Sequence, residues 1–391
     1  MTAWPAPPAE RAAAVARATR PLAPAILRAV VAAQAGLPAS PARAAHLDAL
    51  ARGAACVVTG QQVGLFLGPL YTLHKAASAI ALARALAAET GAPVVPAFWL
   101  QTEDHDLAEI AAVHVPTPAG AVAIGVPVDA ANRRSIAHLA LPAEAAGALD
   151  QLAAALGEGP LAAAHLARLA RHYRPGAGWA AAFAGVLGEL FADEGLIVVD
   201  PRDPAIAQAA APIHARALAD AGALADALIA RADELTRAGA PVPVHVRAGA
   251  PLSFFHPDGA LGPRVRLAPA AGDAWAEVGG DRTFARADVL AALAADPRGC
   301  STSALLRPIV QDTVLPTAAY VGGPTEVAYF AQLPPLYRAF AMAPPLVVPR
   351  ARFRLVDHRT AQRAARLGLA LADAELPEAT LLARLAGPAP A

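Results

Sequence analysis

The stretch CVVTGQQVG, residues 56–64, decides the fold. Its first three residues, Cys56 to Val58, are apolar and suit a short buried strand. The next six, Thr59 to Gly64, are polar and punctuated by glycine, as in a turn between a strand and a helix. The stretch therefore predicts the start of a strand–helix–strand unit.

The residues that follow complete this unit. Apolar positions recur at helical spacing from Leu70 to Glu89, with Pro69 as an early helical residue and Gly91 as the stop. Val94 to Leu100 is a second apolar run of strand length. Because a crossover helix joins parallel strands in a sheet covered on both faces, we predict an α/β fold with a parallel sheet.

Further apolar runs extend the predicted sheet. One of them ends in Asp200-Pro201, and a Gly322-Gly323-Pro324 turn is expected to open a helix from about Thr325 to Phe340. The predicted strands are Leu196–Val199, Leu306–Val310, Ala318–Val321 and Leu346–Pro349.

The predicted organisation is a core interrupted by two insertions. Its segments are an N-terminal helical segment (1–50, beginning with a surface helix pair), the core (51–115, 193–204 and 304–357), insertion 1 (116–192), insertion 2 (205–303), and a C-terminal helix and tail (358–391). Insertion 1 begins with strands around Val122–Val128 and becomes helical. Insertion 2 is helical first and then holds a hairpin formed by Leu252–His256 and Arg264–Leu267.

Composition argues against several classes of partner. The 391 residues carry no net charge and no block of Lys or Arg, so we expect no nucleic-acid partner. No window holds the roughly 18 uninterrupted apolar residues of a membrane span, so we expect no membrane partner. Cys56 and Cys300 are the only cysteines, which suits a reducing cytoplasm.

Three polar loops follow predicted strands: rim loop 1 (Thr59–Gly64), rim loop 2 (Thr102–Asp106) and rim loop 3 (Gly322–Thr325). If the strands are parallel, their carboxyl ends share one edge of the sheet, where ligands of such sheets bind. We therefore expect the three loops to meet and to form an active site.

Rim loop 1 is a candidate anion site. Thr59, Gly60, Gln61 and Gln62 offer backbone N–H groups and two carboxamides near a helix start, which suits a phosphate or a carboxylate. The loop matches neither the dinucleotide nor the P-loop pattern. An ordinary turn would explain its glycines but not the adjacent glutamines.

His74 and Lys75 follow near the start of the predicted helix. Lys75 is the only lysine, in a chain where arginine supplies every other cationic side chain, and it is our candidate for stabilising a developing oxyanion. The competing interpretation is a solvated surface lysine. His74 is either a phosphate contact or a histidine packed against the core.

Rim loop 2 places three carboxylates around an imidazole. Glu103, Asp104 and Asp106 surround His105, a pattern that suits general acid–base catalysis by Asp104 or His105. A divalent metal site is a competing interpretation, although no second ligand cluster accompanies it, and we predict no metal. A helix N-cap would explain one or two of the acids.

A last group of candidates lies near rim loop 3. We expect them to line the substrate site, with Gly322 and Gly323 before a helix as a second anion site and Glu326 as either a site residue or a cap. The others are Arg307, Gln311 and Asp312, which alternate along and just beyond a predicted strand, and Tyr320.

These segments resemble the bacillithiol biosynthesis cysteine-adding enzymes. The matching runs, in order, are Val57–Leu65 with Gly68–Thr72 and Lys75, Pro96–Leu100 with Thr102–Asp106, Leu196–Pro204, Arg307–Asp312 with Leu315–Thr317, and Ala319–Pro324 with Glu326. The resemblance implies a Rossmann-like core of the nucleotidylyltransferase and class I synthetase type, with two connecting-peptide insertions. It also implies the last step of bacillithiol synthesis, in which the carboxyl group of L-cysteine forms an amide with the amine of glucosaminyl-malate.

Within this resemblance, Gln61, Gln62 and the Gly322-Gly323 turn would hold the malate or an activating phosphate. Lys75 would stabilise negative charge, and Asp104 or His105 would deprotonate the amine. Activation of the carboxylate suggests an adenylated cysteine and ATP or ADP as ligand, although the motifs do not show a nucleotide site.

Members of the family carry a dimerising C-terminal coiled coil. After Arg354 we expect only one helix and a short tail here, so the oligomeric state stays open. Two alternative functions also stay open: a nucleotidyltransferase acting on another acceptor, and a non-catalytic homologue that binds a thiol metabolite or a nucleotide.

Overall fold

The computed structural model describes residues 6–117 and 120–386, and a five-stranded parallel sheet lies at its centre. The strands of the described residues are β1 (Ala55–Gln61), β2 (Val94–Leu100), β3 (Ala112–Thr117), β4 (Gly120–Gly125), β5 (Ile197–Val199), β6 (Ser253–Phe255), β7 (Leu267–Ala270), β8 (Ala274–Glu277), β9 (Thr283–Ala285), β10 (Cys300–Thr302), β11 (Thr317–Gly322) and β12 (Leu346–Pro349). The central sheet has the order β12-β11-β1-β2-β5, with all neighbours parallel. The predicted α/β fold with a parallel sheet is confirmed.

Helices cover both faces of this sheet. Those before the last unit of the chain are α1 (Pro8–Ala18), α2 (Pro24–Ala33), α3 (Pro41–Ala51), α4 (Tyr71–Thr90), α5 (Leu107–Ile110), α6 (Ala145–Leu156), α7 (Pro160–His172), α8 (Trp179–Leu190), α9 (Pro204–Ala219), α10 (Ala221–Arg237), α11 (Arg286–Ala295), α12 (Arg307–Val314), α13 (Pro324–Phe330) and α14 (Pro334–Ala339). Three helices precede β1, and the first two, α1 and α2, are the pair predicted at the start of the N-terminal segment.

The predicted strand–helix–strand unit forms, although β1 runs to Gln61 and includes the first three residues of the predicted turn, Thr59–Gln61. Every residue of β2 is buried, with Phe98 and Trp99 packing into clusters on opposite faces of the sheet. The intervening helix ends at Gly91, whose φ of 68° is a left-handed conformation that glycine adopts without steric cost. The helix begins at Tyr71, after Pro69 rather than around it.

The predicted strand at Leu306–Val310 is wrong, because these residues begin helix α12. Pro308 lies in its first turn, where proline is compatible with a helix. The helix is short and almost entirely buried, and periodicity alone cannot separate a buried helix from a buried strand of that length. As a result, Arg307 and Gln311 share one helical face instead of alternating along a strand.

Two other predictions needed correction. The single helix expected from Thr325 to Phe340 is two helices, α13 and α14, and the second one starts at Pro334. The expected hairpin in insertion 2 is reduced to one bridge, between Phe255 and Val265. Strand β6 pairs instead with β10, so its partner comes from a segment further along the chain than the expected hairpin.

The insertions flank the carboxyl edge of the sheet. Insertion 1 contributes β4, which pairs with β3 at the end of the preceding core segment, and helices α6, α7 and α8. Insertion 2 contributes α9, α10, the β7–β8–β9 sheet and α11. The segment boundaries of the predicted core and insertions stay a prediction.

The described residues form two compact units, one ending at Ala351 and the other beginning at Arg352. The second unit was predicted to contain one helix and instead contains two, α15 (His358–Arg366) and α16 (Glu378–Ala386). Gly368, with φ 68°, and Pro377 lie between them and account for the interruption. The last part of the predicted tail, 387–391, lies outside the described residues. None of the described helices is long and apolar enough to cross a membrane.

Candidate active site

The carboxyl ends of β1, β2 and β11 bring the three rim loops together. Gln62 donates a hydrogen bond of 2.8 Å from Nε2 to Oδ2 of Asp104, which joins rim loops 1 and 2. Lys75 forms an ion pair with Glu326, which ties the start of α4 to the helix after rim loop 3. The expectation that the loops meet on one edge is confirmed, because every strand that feeds them is parallel.

Lys75 is buried at this edge, with 3% of its surface exposed. Its ammonium donates to the Gly60 carbonyl and to Oε1 of Gln61, both at 2.8 Å. Burial lowers the pKa of Lys75, and Glu326 opposes that shift. The interpretation as a solvated surface lysine is therefore wrong.

Glu326 receives donors from three directions. Besides Lys75, it accepts from the Gly323 N–H at 2.7 Å and from the Tyr320 hydroxyl at 2.5 Å. The bond to Gly323 is the capping contact expected for a glutamate in the first helical turn. Burial raises the pKa of Tyr320 well above its usual range, so this hydroxyl stays protonated and donates.

Arg307 and Gln311 form a buried network behind Glu326. The Arg307 guanidinium donates to Oε1 of Gln311 at 2.6 Å and to the Tyr329 hydroxyl at 2.7 Å, and it stacks over the Tyr320 ring at 4.9 Å. Gln311 in turn donates to Asp312 at 3.0 Å. Helix α12 thus extends a polar network away from the rim.

Asp312 does not join the rim residues. It lines a different cavity together with Thr317, at the amino end of β11, and accepts from the Tyr337 hydroxyl at 2.6 Å. Burial raises the pKa of Asp312 to about 6, against the effect of these hydrogen bonds. Its position at the opposite edge of the sheet separates it from the three rim loops, although Gln311 donates a hydrogen bond to it.

The carboxylate of Asp104 in rim loop 2 is held in its ionised form. Burial alone would raise its pKa. Arg264, the His105 N–H at 2.7 Å and the Gln62 amide outweigh that effect, so the pKa of Asp104 lies below its usual range. Nδ1 of His105 is 3.7 Å from Asp104, too far for a hydrogen bond. Burial and Arg264 lower the pKa of His105, which favours its neutral form.

The remaining rim residues have structural partners. Glu103 turns toward β10 and accepts from the Thr302 backbone N–H at 3.1 Å and from its hydroxyl. Asp106 caps α5 by accepting from the Glu109 N–H at 3.2 Å, as the N-cap interpretation expects. Thr59 is buried and donates to the Val321 carbonyl at 2.8 Å.

His74 is partly exposed on α4. Burial and Arg350 lower its pKa, so the neutral form is favoured there as well. Arg350 follows β12, and its guanidinium lies over the Tyr71 ring at 5.1 Å. This end of the rim therefore carries a second group of cationic and aromatic side chains.

A cavity of about 350 Å³ opens beside Asp104, between the rim and insertion 2. We call it the arginine-lined cavity, because its lining includes Arg247, Arg264, Arg266 and Arg307. Arg264 is 6% exposed, donates to the Glu103 carbonyl at 2.5 Å and lies 3.9 Å above the Phe254 ring. The cavity combines the ionised carboxylate of Asp104 and the side chain of Glu103 with several cations, which suits a ligand that has both an amine and anionic groups.

Of these arginines, Arg307 was a candidate in the sequence, whereas Arg247, Arg264 and Arg266 were missed. Arginine is common throughout this chain, so its presence near residues 247–266 carried no signal. The alternation of Arg264 and Arg266 around Val265 was the only available hint, since it places both side chains on one face of an extended segment.

A second, larger cavity of about 640 Å³ lies on the other side of Gln62, against insertion 1. Its lining is mostly apolar, with Gln61, Gln62 and Tyr71 at the end nearest the rim. Among the described residues, no group of three or more His, Cys, Asp or Glu side chains is placed to hold a metal ion.

Comparison with known protein families shows to which family this chain belongs. The family model for the N-terminal Rossmann-like domain of the bacillithiol biosynthesis protein BshC matches residues 9–351. The chain belongs to the BshC family. The predicted Rossmann-like core is thereby confirmed, and all three rim loops fall inside the matched residues.

Similar proteins carry the name "Putative cysteine ligase BshC". The protein from Koribacter versatilis is 39% identical over 332 residues, covering 82% of this chain and 58% of the relative. That from Salinibacter ruber is 36% identical over 375 residues, covering 95% of this chain and 67% of the relative. The match to the Solibacter usitatus protein is 35% identical over 351 residues and covers 85% and 61%, respectively. This chain thus spans about 58 to 67% of the length of these BshC relatives.

Proposed function

We propose that this protein forms an amide between the carboxyl group of L-cysteine and the amine of glucosaminyl-malate. The observation that carries the proposal is the arginine-lined cavity, with ionised Asp104 beside Arg264 at the edge of the sheet. Membership of the BshC family and the names of its relatives support the same reaction. We also propose a cytoplasmic location, since Cys56 and Cys300 are buried and unpaired.

The charges of the cavity match those of the proposed acceptor. Glucosaminyl-malate carries two carboxylates and one amine. Arg247, Arg264 and Arg266 would hold the carboxylates, because guanidinium groups bind carboxylates through paired hydrogen bonds. Asp104 would attract the amine in its protonated form. A volume of about 350 Å³ lies within the usual range for small-molecule sites.

Amide formation from a free carboxylate requires activation, for which we propose ATP. The cysteine carboxylate attacks the α-phosphorus, pyrophosphate leaves, and a mixed anhydride with AMP forms. The sugar ammonium group then loses one proton to solvent, and the free amine attacks the carbonyl carbon. The bond to AMP breaks, and the second proton passes to Asp104 or to solvent. The low pKa of Asp104 makes it a good partner for the ammonium group, and it accepts the proton only as the C–N bond forms.

The test is to incubate the purified protein with glucosaminyl-malate and L-cysteine, with and without ATP. Bacillithiol is measured by mass spectrometry, and pyrophosphate release is followed in parallel. We expect ATP-dependent amide formation, with one pyrophosphate per product. Absence of product under both conditions would refute the proposal, and pyrophosphate release with other acceptors would favour a nucleotidyltransferase. Glu158→Gln, at an exposed position outside the cavity, serves as the matched control.

A further inference from the structure

Lys75 lies at the point where the chain changes direction across the sheet. From β1 the chain moves outward to β2 and β5, then returns to β11 and β12 on the other side of β1. Open parallel sheets bind ligands in the crevice at the carboxyl ends of the strands on either side of such a point. Lys75 occupies this crevice, bonded to Gly60 at the end of β1 and paired with Glu326, which follows β11.

The partners of Lys75 use every proton of its ammonium group. A protonated lysine has three N–H donors and no acceptor. Here the three acceptors are the Gly60 carbonyl, Oε1 of Gln61 and the Glu326 carboxylate. Only 3% of the surface of Lys75 is exposed. Its ammonium group therefore has no spare N–H donor, and a substrate cannot reach it.

The same hydrogen bonds fix the orientation of two neighbouring side chains, Gln61 and Glu326. Because Lys75 can only donate, Gln61 must turn its amide oxygen inward, and its NH₂ group is left to bond the Tyr71 hydroxyl at the end of the apolar cavity. On the other side, Lys75 fixes Glu326, whose two oxygens hold Gly323 and Tyr320. One side chain therefore sets the geometry of both rim loop 1 and rim loop 3.

We infer that Lys75 is a positioning residue, which aligns Gln61 and Glu326 across the crevice between β1 and β11 and does not touch the substrate. This assignment rests on the proposed function and revises the expectation that Lys75 stabilises a developing oxyanion. The cationic contacts to substrate then come from the arginine-lined cavity.

Lys75 can be observed directly because it is the only lysine. Protein produced with ¹³C,¹⁵N-lysine carries one labelled ammonium group, and Lys75→Arg, which removes the signal, provides the assignment. We expect ammonium protons protected from solvent exchange and a signal that Glu326→Gln shifts strongly. The exposed control Glu158→Gln should leave it in place. Saturation with glucosaminyl-malate should shift the signal less than Glu326→Gln does.

Two results, one from the labelled protein and one from chemical acetylation, would overturn the inference. One is a larger shift on adding glucosaminyl-malate than on replacing Glu326. The other is acetylation of Lys75 by acetic anhydride as fast as that of a free lysine amine. These measurements need no turnover. If the wild-type protein forms no amide, the proposed function fails, while protection from exchange, the Glu326→Gln shift and the acetylation rate still decide the role of Lys75.

Kinetics provide a second test in an active protein. Lys75→Met and Glu326→Gln should each lower kcat, and the double variant should lie within about threefold of the worse single variant, because both disrupt one unit. The shape of the pH profile of kcat should not change in Lys75→Met. If the fold-losses in kcat of the two single variants multiplied in the double variant, Lys75 would act independently of Glu326 and take part in catalysis. The loss of the acid or the basic limb of the pH profile of kcat in Lys75→Met would lead to the same conclusion.

Discussion

Lys75 and Glu326 form an ion pair that links the helix after β1 to the helix after β11. The lysine side chain is 4% exposed and the glutamate side chain 19%, so water screens the pair poorly. Two further donors, the Gly323 N–H and the Tyr320 hydroxyl, complete the coordination of the carboxylate. The pair is thus a structural link at the edge where the rim loops meet.

Glu326→Gln should destabilise the protein by about 3 kcal/mol, because removing one partner leaves a buried, uncompensated charge on Lys75. Urea unfolding at neutral pH followed by circular dichroism measures this loss. Glu158→Gln, which is exposed, should stay within about 0.5 kcal/mol of the wild type. If Glu326→Gln changed the free energy of unfolding as little as Glu158→Gln does, the ion pair would not contribute to the stability of the protein.

Arg264→Met should reduce kcat/KM by about 30-fold, since a charge-assisted contact is worth roughly 2 kcal/mol. It should also change the pH dependence. Arg264 lowers the pKa of Asp104, so its removal raises that pKa, and Asp104 becomes protonated at a higher pH. The acid limb of the profile of kcat/KM should therefore move to higher pH.

Arg282→Met is the control for Arg264→Met, because Arg282 pairs with Glu277 and Asp258 and does not line the cavity. Its activity and pH profile should match those of the wild type. An unmoved acid limb in Arg264→Met would show that Asp104 does not govern that limb.

Asp312→Asn should remove a pH dependence of stability. Burial raises the pKa of Asp312 from 3.8 to about 6, so folding favours its protonated form. This contribution to stability is present below about pH 4 and is lost as pH rises through about 6. A shift of about two pKa units corresponds to roughly 3 kcal/mol.

Denaturant unfolding of the wild type and Asp312→Asn at pH 4 and pH 7 tests this prediction. Between these pH values, the unfolding free energy of the wild type should fall relative to that of the variant by up to about 3 kcal/mol. Gln311 donates to Oδ1 of Asp312 and Tyr337 donates to Oδ2, so the asparagine oxygen can accept from Gln311 while its NH₂ group donates to the Tyr337 hydroxyl. Parallel pH curves for the two proteins would contradict the assignment.

Gly64→Ala should destabilise the turn that leads into α4. An added Cβ would lie 2.0 Å from the Gly68 carbonyl oxygen, so the backbone must move. The turn is also held by insertion 1, through the Tyr173 hydroxyl on the Gly64 carbonyl at 3.1 Å and the Trp179 indole on the Val63 carbonyl at 2.6 Å. We expect a loss of about 3 kcal/mol, as for an overpacked core site.

Gly147→Ala is the matched control for Gly64→Ala. Gly147 lies in helix α6, and a Cβ there meets nothing within 4 Å, so alanine should stabilise the helix by about 0.5 to 1 kcal/mol. Thermal unfolding of both variants measures the contrast. Equal melting temperatures would show that the turn can relax around the added methyl group.

The sequence was most informative for those strands and helices whose bounds follow from a local pattern of residues. Strand β2 matches its predicted range, and helix α4 and Gly91 are where spacing and backbone preference put them. The prediction failed at Leu306–Val310, because an apolar run of that length suits a buried helix and a buried strand equally. Only the partners of α12, such as Tyr320 and Tyr329, distinguish the two.

Within the candidate site, the sequence by itself determined the parallel sheet and the three polar loops at its carboxyl edge, because strand, turn and helix preferences act over a few residues. The tertiary structure alone decided that Lys75 is buried and fully bonded, that Glu103 faces Thr302, and that Asp312 lies at the opposite edge. It also decided that arginines of insertion 2 reach Asp104. Burial, charge pairing and pKa depend on neighbours in space, and those neighbours come from segments far apart in the chain.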